Sequence, residues 1–402
     1  MQLRKPNLHR ILLYSGSLSL IIVYILSWVD VISDPNQRTE ADFMAFYAAG
    51  RSVVEHTPAA AYDLAYTKEY EEKVLGYRIA EEDVMSFNHP PLTLPILWLA
   101  AHFEYVPAFH IWAGFLLILC GFCAHTGVKL FPEARGISKI ALWIGVFLFF
   151  PLFISIVNGQ DSALLLLGAL IWYYGFTQGS SQTAGLGLAL TTIRPQIAMV
   201  LAIPFFFNAS WRKVWWWFCL GAVVLMVASI IMVGWDGIRN LLNILSISAA
   251  GEGYKMNERA MVNLIGLINR LLPGLNAATI RLIGWTGYLV GLAILSLIWK
   301  SVPIITNRHI SLATIIAVFF SPHLHYHDLA LLILPILAAI HWLIAAQKAS
   351  MEFASLLPLG LSFIFLLTYS ILQLKYTAIY LVELGLLVTV WLVDSSSVDQ
   401  RL

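Results

Sequence analysis

The chain reads as an all-α, polytopic membrane protein: a bundle of about 10–13 transmembrane or re-entrant helices, with amphipathic helices in its outer loops. Three observations lead there. Of 402 residues, 59% are hydrophobic and only 12% charged, far too apolar for a soluble domain. Apolar stretches recur from Ile11 to Val393, and about ten approach the ~20 residues that cross a bilayer as helix. The polar residues are gathered rather than spread: residues 30–90 hold 12 of the 23 acidic side chains against 5 Lys and Arg. A net charge of +1, with no Lys/Arg cluster, excludes a nucleic-acid partner. Residues 1–402 are therefore expected to form a single integral membrane domain.

The first span, Ile11–Val29, follows a basic start (Arg4, Lys5, Arg10) and has no small-residue cleavage site after it. Lys and Arg are retained on the cytoplasmic side, so the N-terminus is expected inside and loop 30–90 outside. Lys129, Arg135 and Lys139 place the next short loop inside, so an odd number of crossings separates the two loops. Residues 107–128 supply one. Leu92–Phe103, 12 residues or ~18 Å of helix, is too short to cross and reads as an interfacial or re-entrant piece. Spans at 138–157 and 161–177 meet at the turn Asn158-Gly159-Gln160. Residues 183–207 are bisected by Arg194-Pro195 and end at Arg212 and Lys213, which argue for the cytoplasm. Two half-helices returning to one side satisfy both facts and leave Arg194 near mid-depth. A span at 214–234 leads to a second outer loop, Asp236–Pro273, in which Ala260–Leu272 has the spacing of an interfacial amphipathic helix. Spans near 276–299, 309–320, 329–346, 353–372 and 376–393 follow, and the tail 394–402 ends inside by parity.

Three polar features open toward the outer face: the loop at Asp42, the turn at Gln160, and Ser321-Pro322-His323-Leu324-His325-Tyr326-His327-Asp328. Ionisable groups within a bilayer are costly, so Arg194 is a functional candidate by position. Asp42 opens a stretch in which Phe43, Phe46, Tyr47 and Gly50 recur at helical spacing, predicting a short helix lying on the membrane. Two readings of its carboxylate stand: a helix cap or a general base. His323, His325 and His327 alternate and share one side of an extended turn. Such imidazoles could bind zinc, hold a phosphate or relay a proton. Arg194 suits a lipid phosphate or an ion pair with a buried carboxylate such as Asp161. Gln160 either donates to a polar substrate or caps its turn. Arg51, Arg270 and His89 are weaker candidates, for which a structural role is the simpler reading. Cys120 and Cys123 have redox spacing but sit among leucines, as core residues would. The Asn208-Ala209-Ser210 sequon falls on the inner side.

Taken in order, four motifs give the chain a family likeness: Asp42-Phe43-Met44-Ala45-Phe46-Tyr47-Ala48-Ala49-Gly50-Arg51 leading to Ala59-Ala60-Ala61-Tyr62-Asp63; His89-Pro90-Pro91-Leu92; Asn158-Gly159-Gln160-Asp161-Ser162 leading through Gly185-Leu186-Gly187-Leu188-Ala189 to Ile193-Arg194-Pro195-Gln196; and Ser321 to Leu329. Met261-Val262-Asn263-Leu264-Ile265-Gly266-Leu267 adds a fifth segment. Over roughly Ile11 to Pro335 the chain resembles glycosyltransferase family 87, the polyprenyl-phosphate-mannose-dependent enzymes of the GT-C class (DUF2029). The resemblance implies a GT-C-like bundle in the plasma membrane. It also implies an active site on the outer, periplasmic face, with Asp42 as catalytic base and His327 beside it. Arg194 matches the family's basic residue in the re-entrant pair. Departures are His89 in place of an aromatic residue, Asp161 in place of asparagine, and Asp328 where some members have a second histidine.

The expected activity is transfer of a hexose, mannose by resemblance, from a polyprenyl-phosphate donor to a hydroxyl of a lipid or glycan acceptor, with inversion. Arg194, His325, His323, Gln160, Asp328 and Arg51 are expected to hold the lipid phosphate and sugar. No cofactor or metal is expected, since no D-x-D pair lies in the outer loops. The alternatives are a transporter or flippase of a lipid-linked sugar or anionic solute, and a lipid-linked oligosaccharide ligase. Transporter folds usually carry internal repeats, and none is visible in this sequence.

Overall fold

The computed structural model describes residues 8–34, 41–250 and 258–392. The basic residues Arg4 and Lys5 and the tail 394–402 lie outside the described residues. Helix makes up 81% of the structure, and no strand occurs among the described residues. Among the described residues, seven helical stretches are long and apolar enough to cross a membrane, three of them (Gly136–Asn158, Tyr326–Ala345 and Met351–Tyr369) counted across a short break, and four shorter apolar helices accompany them. The protein is a multi-pass, all-α membrane protein.

Helix α1 (Leu8–Ser33) turns Ile11, Leu18, Ile22 and Ile25 outward and buries Leu13, Leu20 and Tyr24. It is anchored by Tyr24, which stacks on Phe153 at 3.8 Å and donates to the Leu148 carbonyl. The first loop carries α2 (Phe43–Glu55) and α3 (Leu64–Leu75), the latter capped by Asp63, which accepts from the amides of Ala65 and Tyr66. Helix α2 does not lie on a membrane surface as its spacing suggested. It is buried within the protein, with Phe43 against Tyr105 and Phe109 and Phe46 against Trp112. The reason is compositional: Phe43 to Ala49 are apolar on every face, so no side of the first two turns can be left to water.

Residues 91–93 form a 3₁₀ turn into the seven-residue α4 (Leu94–Ala100), which is too short to cross, as its length predicts. Next come α5 (Tyr105–Lys129), α6 (Gly136–Phe147) and α7 (Phe150–Asn158), the last two interrupted just before Pro151. Helices α8 (Ser162–Thr177), α9 (Ser181–Leu190) and α10 (Pro195–Phe207) then form a zigzag. A short turn puts the start of α9 beside the end of α8. The end of α10 returns to the same place: Phe176 packs on Phe205 and Trp211, and the Asn208 side chain donates to the Trp299 and Val302 carbonyls. The α9–α10 pair is thus re-entrant, with both ends at one end of the bundle. Its limbs are ~15 and ~20 Å long at 1.5 Å per residue, so the break at 191–194 sits about halfway through a ~30 Å core.

Helix α11 (Arg212–Ala250) runs through a kink at Gly234 (φ 68°) well beyond the expected end near residue 234. The first part of the expected second outer loop is therefore helical. Helix α12 (Leu264–Leu271) is the short amphipathic piece, capped by Asn263, whose side chain accepts from the Gly266 amide. Helices α13 (Ala277–Lys300) and α14 (Asn307–Phe320) follow, then a 3₁₀ stretch Tyr326–Leu332 leading into α15 (Ile333–Ala345). Helices α16 (Met351–Ala354), α17 (Leu357–Tyr369) and α18 (Leu372–Leu392) complete the described bundle.

Close packing of α8 on α9 sets the depth of the break. A methyl group at Gly187 would meet the Trp172 backbone and lie 2.8 Å from the Gly168 carbonyl oxygen, with no flexible side chain to yield. Small residues allow such backbone approach between membrane helices. Gly187→Ala is expected to destabilise the protein by about 1–3 kcal/mol, read as a lowered unfolding midpoint in detergent. Gly114→Ala, where a methyl meets nothing within 4 Å, should change it by less than about 0.5 kcal/mol. Equal midpoints for the two variants would contradict the packing described.

Candidate functional site

The site is assembled from four stretches distant in sequence: the start of α2, the turn between α7 and α8, the break between α9 and α10, and the turn before α15. The α7–α8 turn is fixed first. Gly159 ends α7 with φ 74°, the Trp112 indole donates to its carbonyl, and the Ser155 hydroxyl donates to the Gln160 carbonyl. A Cβ at Gly159 would come within 3.0 Å of the Phe43 Cα, so glycine is required here for space as well as backbone angle. That close approach carries Asp42 to Gln160. Asp42 makes no capping hydrogen bond to α2; its Oδ2 accepts from Gln160 Nε2 at 2.9 Å. Of the two readings of this carboxylate, the cap is the one the side chain does not take up.

Gln160 leads on to Arg194, whose Nη2 donates to Gln160 Oε1 at 3.3 Å. The guanidinium is buried and lies between two buried carboxylates. Nη1 is 3.1 Å from Asp161 Oδ1, and Nε is 3.4 Å from Asp328 Oδ1. Ser162 donates to the same Asp328 oxygen at 3.0 Å, and His327 Nε2 lies 3.6 Å from the other. His89 completes the cluster, its ring against Phe46 and Phe87 and its carbonyl accepting from Tyr62. His89 Nδ1 is 2.8 Å from Arg194 Nη1 and 3.0 Å from Asp161 Oδ2. It can serve only one of them at a time: as a lone pair it accepts from the guanidinium, as N–H it donates to the carboxylate.

The histidine turn is held by its backbone. Val262 N donates to the Leu324 carbonyl, the Asn263 side chain to that of Ser321, and Gln196 to that of His323. The rings of His323, His325 and His327 follow one another at 4.8 and 5.9 Å between centroids, on one side as alternation requires. Burial, and then the neighbouring His325, push the His323 imidazole down to about 3. Burial, and then His327, push His325 down to about 4. Burial thus favours the uncharged form of both rings. Among the described residues, no group of three or more His, Cys, Asp or Glu is arranged to hold a metal ion.

These groups line a cavity of about 830 Å³. Its polar end holds Asp42, Gln160, Arg194, His323, His325, His327 and Asp328, all expected from sequence, together with His89. The cavity is lined further by Met199, Leu245, Ile265, Trp285, Tyr288, Arg281, Tyr369 and Lys375. Arg51 is not part of this wall; it pairs with Glu55 and donates to the Ala101 carbonyl, bracing α2 against α4. His89, read from sequence as structural, lies at the centre of the cluster. Its place directly before Pro90-Pro91 was the available signal. Lys375 gave none beyond being a charge at the head of the last apolar helix.

Comparison with known proteins bears on this arrangement. No curated protein matches the chain. The model of glycosyltransferase family 87 matches residues 87–322, a stretch that carries His89, Gln160, Asp161 and Arg194 and stops just before the histidine turn. The match spans more than half of the molecule and includes the re-entrant pair and the turn it reaches, and on it the chain belongs to glycosyltransferase family 87.

Proposed function

We propose that this membrane glycosyltransferase moves a hexose, mannose in the first instance, from a polyprenyl-phosphate donor to a hydroxyl of a lipid or glycan acceptor, with inversion. The observation that carries the proposal is the Asp42 carboxylate at the wall of a cavity lined by both polar and apolar side chains. Such a cavity suits a donor with a sugar phosphate at one end and a hydrocarbon chain at the other. Gln160 ties Asp42 Oδ2, and Oδ1 has no hydrogen-bond partner among the described residues. One oxygen is thus fixed and the other is free to accept a proton.

In the reaction, the acceptor hydroxyl loses its proton to Asp42 as its oxygen attacks the anomeric carbon. The bond from that carbon to the phosphate oxygen breaks, and its electron pair leaves with the lipid phosphate. Attack from the face opposite the phosphate converts a β-linked donor into an α-glycoside. A retaining route would need a second carboxylate as nucleophile. Asp161 and Asp328 are the nearest candidates, and both are engaged by Arg194, which favours inversion. Arg194 serves here chiefly to hold Gln160, and through it Asp42. His327, with Nε2 toward Asp328, orients the reacting groups or relays the proton. The distribution of Lys and Arg supports an outer-face site in the plasma membrane, with the N-terminus inside.

Asp42→Asn should lower transfer from radiolabelled mannosyl polyprenyl phosphate, measured in detergent, by about 10²–10⁴-fold while the protein still folds. Near-normal turnover would remove Asp42 as base. A wild-type protein that makes no glycoside from such a donor would sink the reaction as a whole and leave transport as the better reading. His327→Ala is expected to slow turnover by at least about tenfold, and an unchanged rate would make that imidazole structural.

A further inference from the structure

The donor in the proposed reaction carries a phosphate, and the cations that line the cavity are not equally free to meet it. Arg194 already directs nitrogens at Gln160, Asp161 and Asp328. Together with those two carboxylates it forms a group whose net charge is not positive. Arg281 stands 3.8 Å from Glu258, which lines the same wall. Burial disfavours charge on His323 and His325. Lys375 differs from all of these. Its ammonium lies over the rings of Tyr369 at 4.1 Å, Tyr326 at 4.8 Å and Tyr376 at 5.8 Å. No carboxylate pairs with it among the described residues. Aromatic faces position a cation without cancelling its charge, and they leave the ammonium hydrogens able to donate to an anion. Arg270, stacked at 3.6 Å on one ring of the cage, Tyr376, is tied to the Arg259 and Met261 carbonyls and braces that ring.

We infer that Lys375, held in a cage of tyrosines, is the phosphate anchor of the lipid-linked donor and of the lipid phosphate released from it. This rests on the donor class proposed above. The assignment sets the phosphate already charged in the ground state against a cation with no carboxylate partner among the described residues, and makes Lys375 a binding residue whose loss weakens donor affinity more than the chemical step. Tyr326 joins the two regions, since it touches the cage and directly precedes His327 and Asp328.

The test uses the full-length protein in detergent and a short-chain polyprenyl phosphate without sugar. Lys375→Met keeps the aliphatic stem against the rings and removes the charge. It should raise the Kd for polyprenyl phosphate and the donor KM by about 10–100-fold, change kcat by less than about threefold, and leave binding of uncharged polyprenol unaltered. Lys375→Arg should recover most of the affinity. In the unmutated protein, polyprenyl phosphate but not polyprenol should protect Lys375 from acylation, followed by mass spectrometry, a readout independent of how any variant folds. Equal affinity of Lys375→Met and wild type for polyprenyl phosphate, or no protection, overturns the anchor while wild-type transfer leaves the reaction standing. A wild-type protein that neither binds polyprenyl phosphate nor transfers from it overturns both.

Discussion

The structure depends on a single buried guanidinium. Arg194 reaches the side chains of Gln160, Asp161, Asp328 and His89, and so ties together the α7–α8 turn, the turn before α15 and the end of the first loop. An unpaired charge at this depth would be strongly unfavourable, and removing one partner of a buried pair typically costs more than the pair contributes. The residues that deliver the arginine are arranged accordingly. Pro195 cannot continue the hydrogen-bond ladder of α9, and the break it enforces lets the side chain leave the helix toward its partners. The polar groups freed by the break are reused locally. Thr191 and Thr192 hydroxyls donate to the Leu188 and Ala189 carbonyls, and Arg194 N donates to the Thr191 carbonyl. Irregular backbone at mid-depth is tolerated when it is satisfied in this way.

The reach of this arginine explains how a carboxylate from the first loop comes to lie in the interior. Asp42 does not touch Arg194; Gln160 stands between them, giving its amide hydrogen to one and its carbonyl to the other. An amide is suited to this relay because it is donor and acceptor at once. A direct pair would have left Asp42 neutralised, as Asp161 and Asp328 are. The intermediate glutamine fixes the position of Asp42 and leaves one of its oxygens uncommitted.

Much of the fold was legible because membranes impose lengths. Leu92–Phe103 was too short to cross, and the positive pair at Arg212-Lys213 beyond Arg194-Pro195 required the chain to turn back, so both irregular pieces could be read from spacing. Helix α2 was misjudged because the periodicity of thirteen residues does not distinguish a membrane surface from a protein interior. The extension of α11 past Gly234 was missed because its polar residues, Asp236, Arg239 and Asn240, look like loop although they sit on a helix. In the site, Asp42, Gln160, Arg194 and the three histidines were visible as polar groups in an apolar chain. His89 was visible only through its place before Pro90-Pro91, because its partners Asp161 and Arg194 are distant in sequence, and Lys375 was passed over because nothing in the sequence brings Tyr326 to it.

The partners of Arg194 are also separated in time. Ser162 and Asp328, which share a hydrogen bond, are 166 residues apart. A nascent chain that has left the ribosome only as far as α10 contains Asp161 and His89 but not Asp328, the arginine's second carboxylate partner. The arrangement closes only once translation has passed residue 328 and the later helices have entered the bilayer. Completion of the scaffold around Arg194 is thereby coupled to completion of the bundle, and a prematurely terminated polypeptide retains the arginine without the full set of groups that make its burial tolerable.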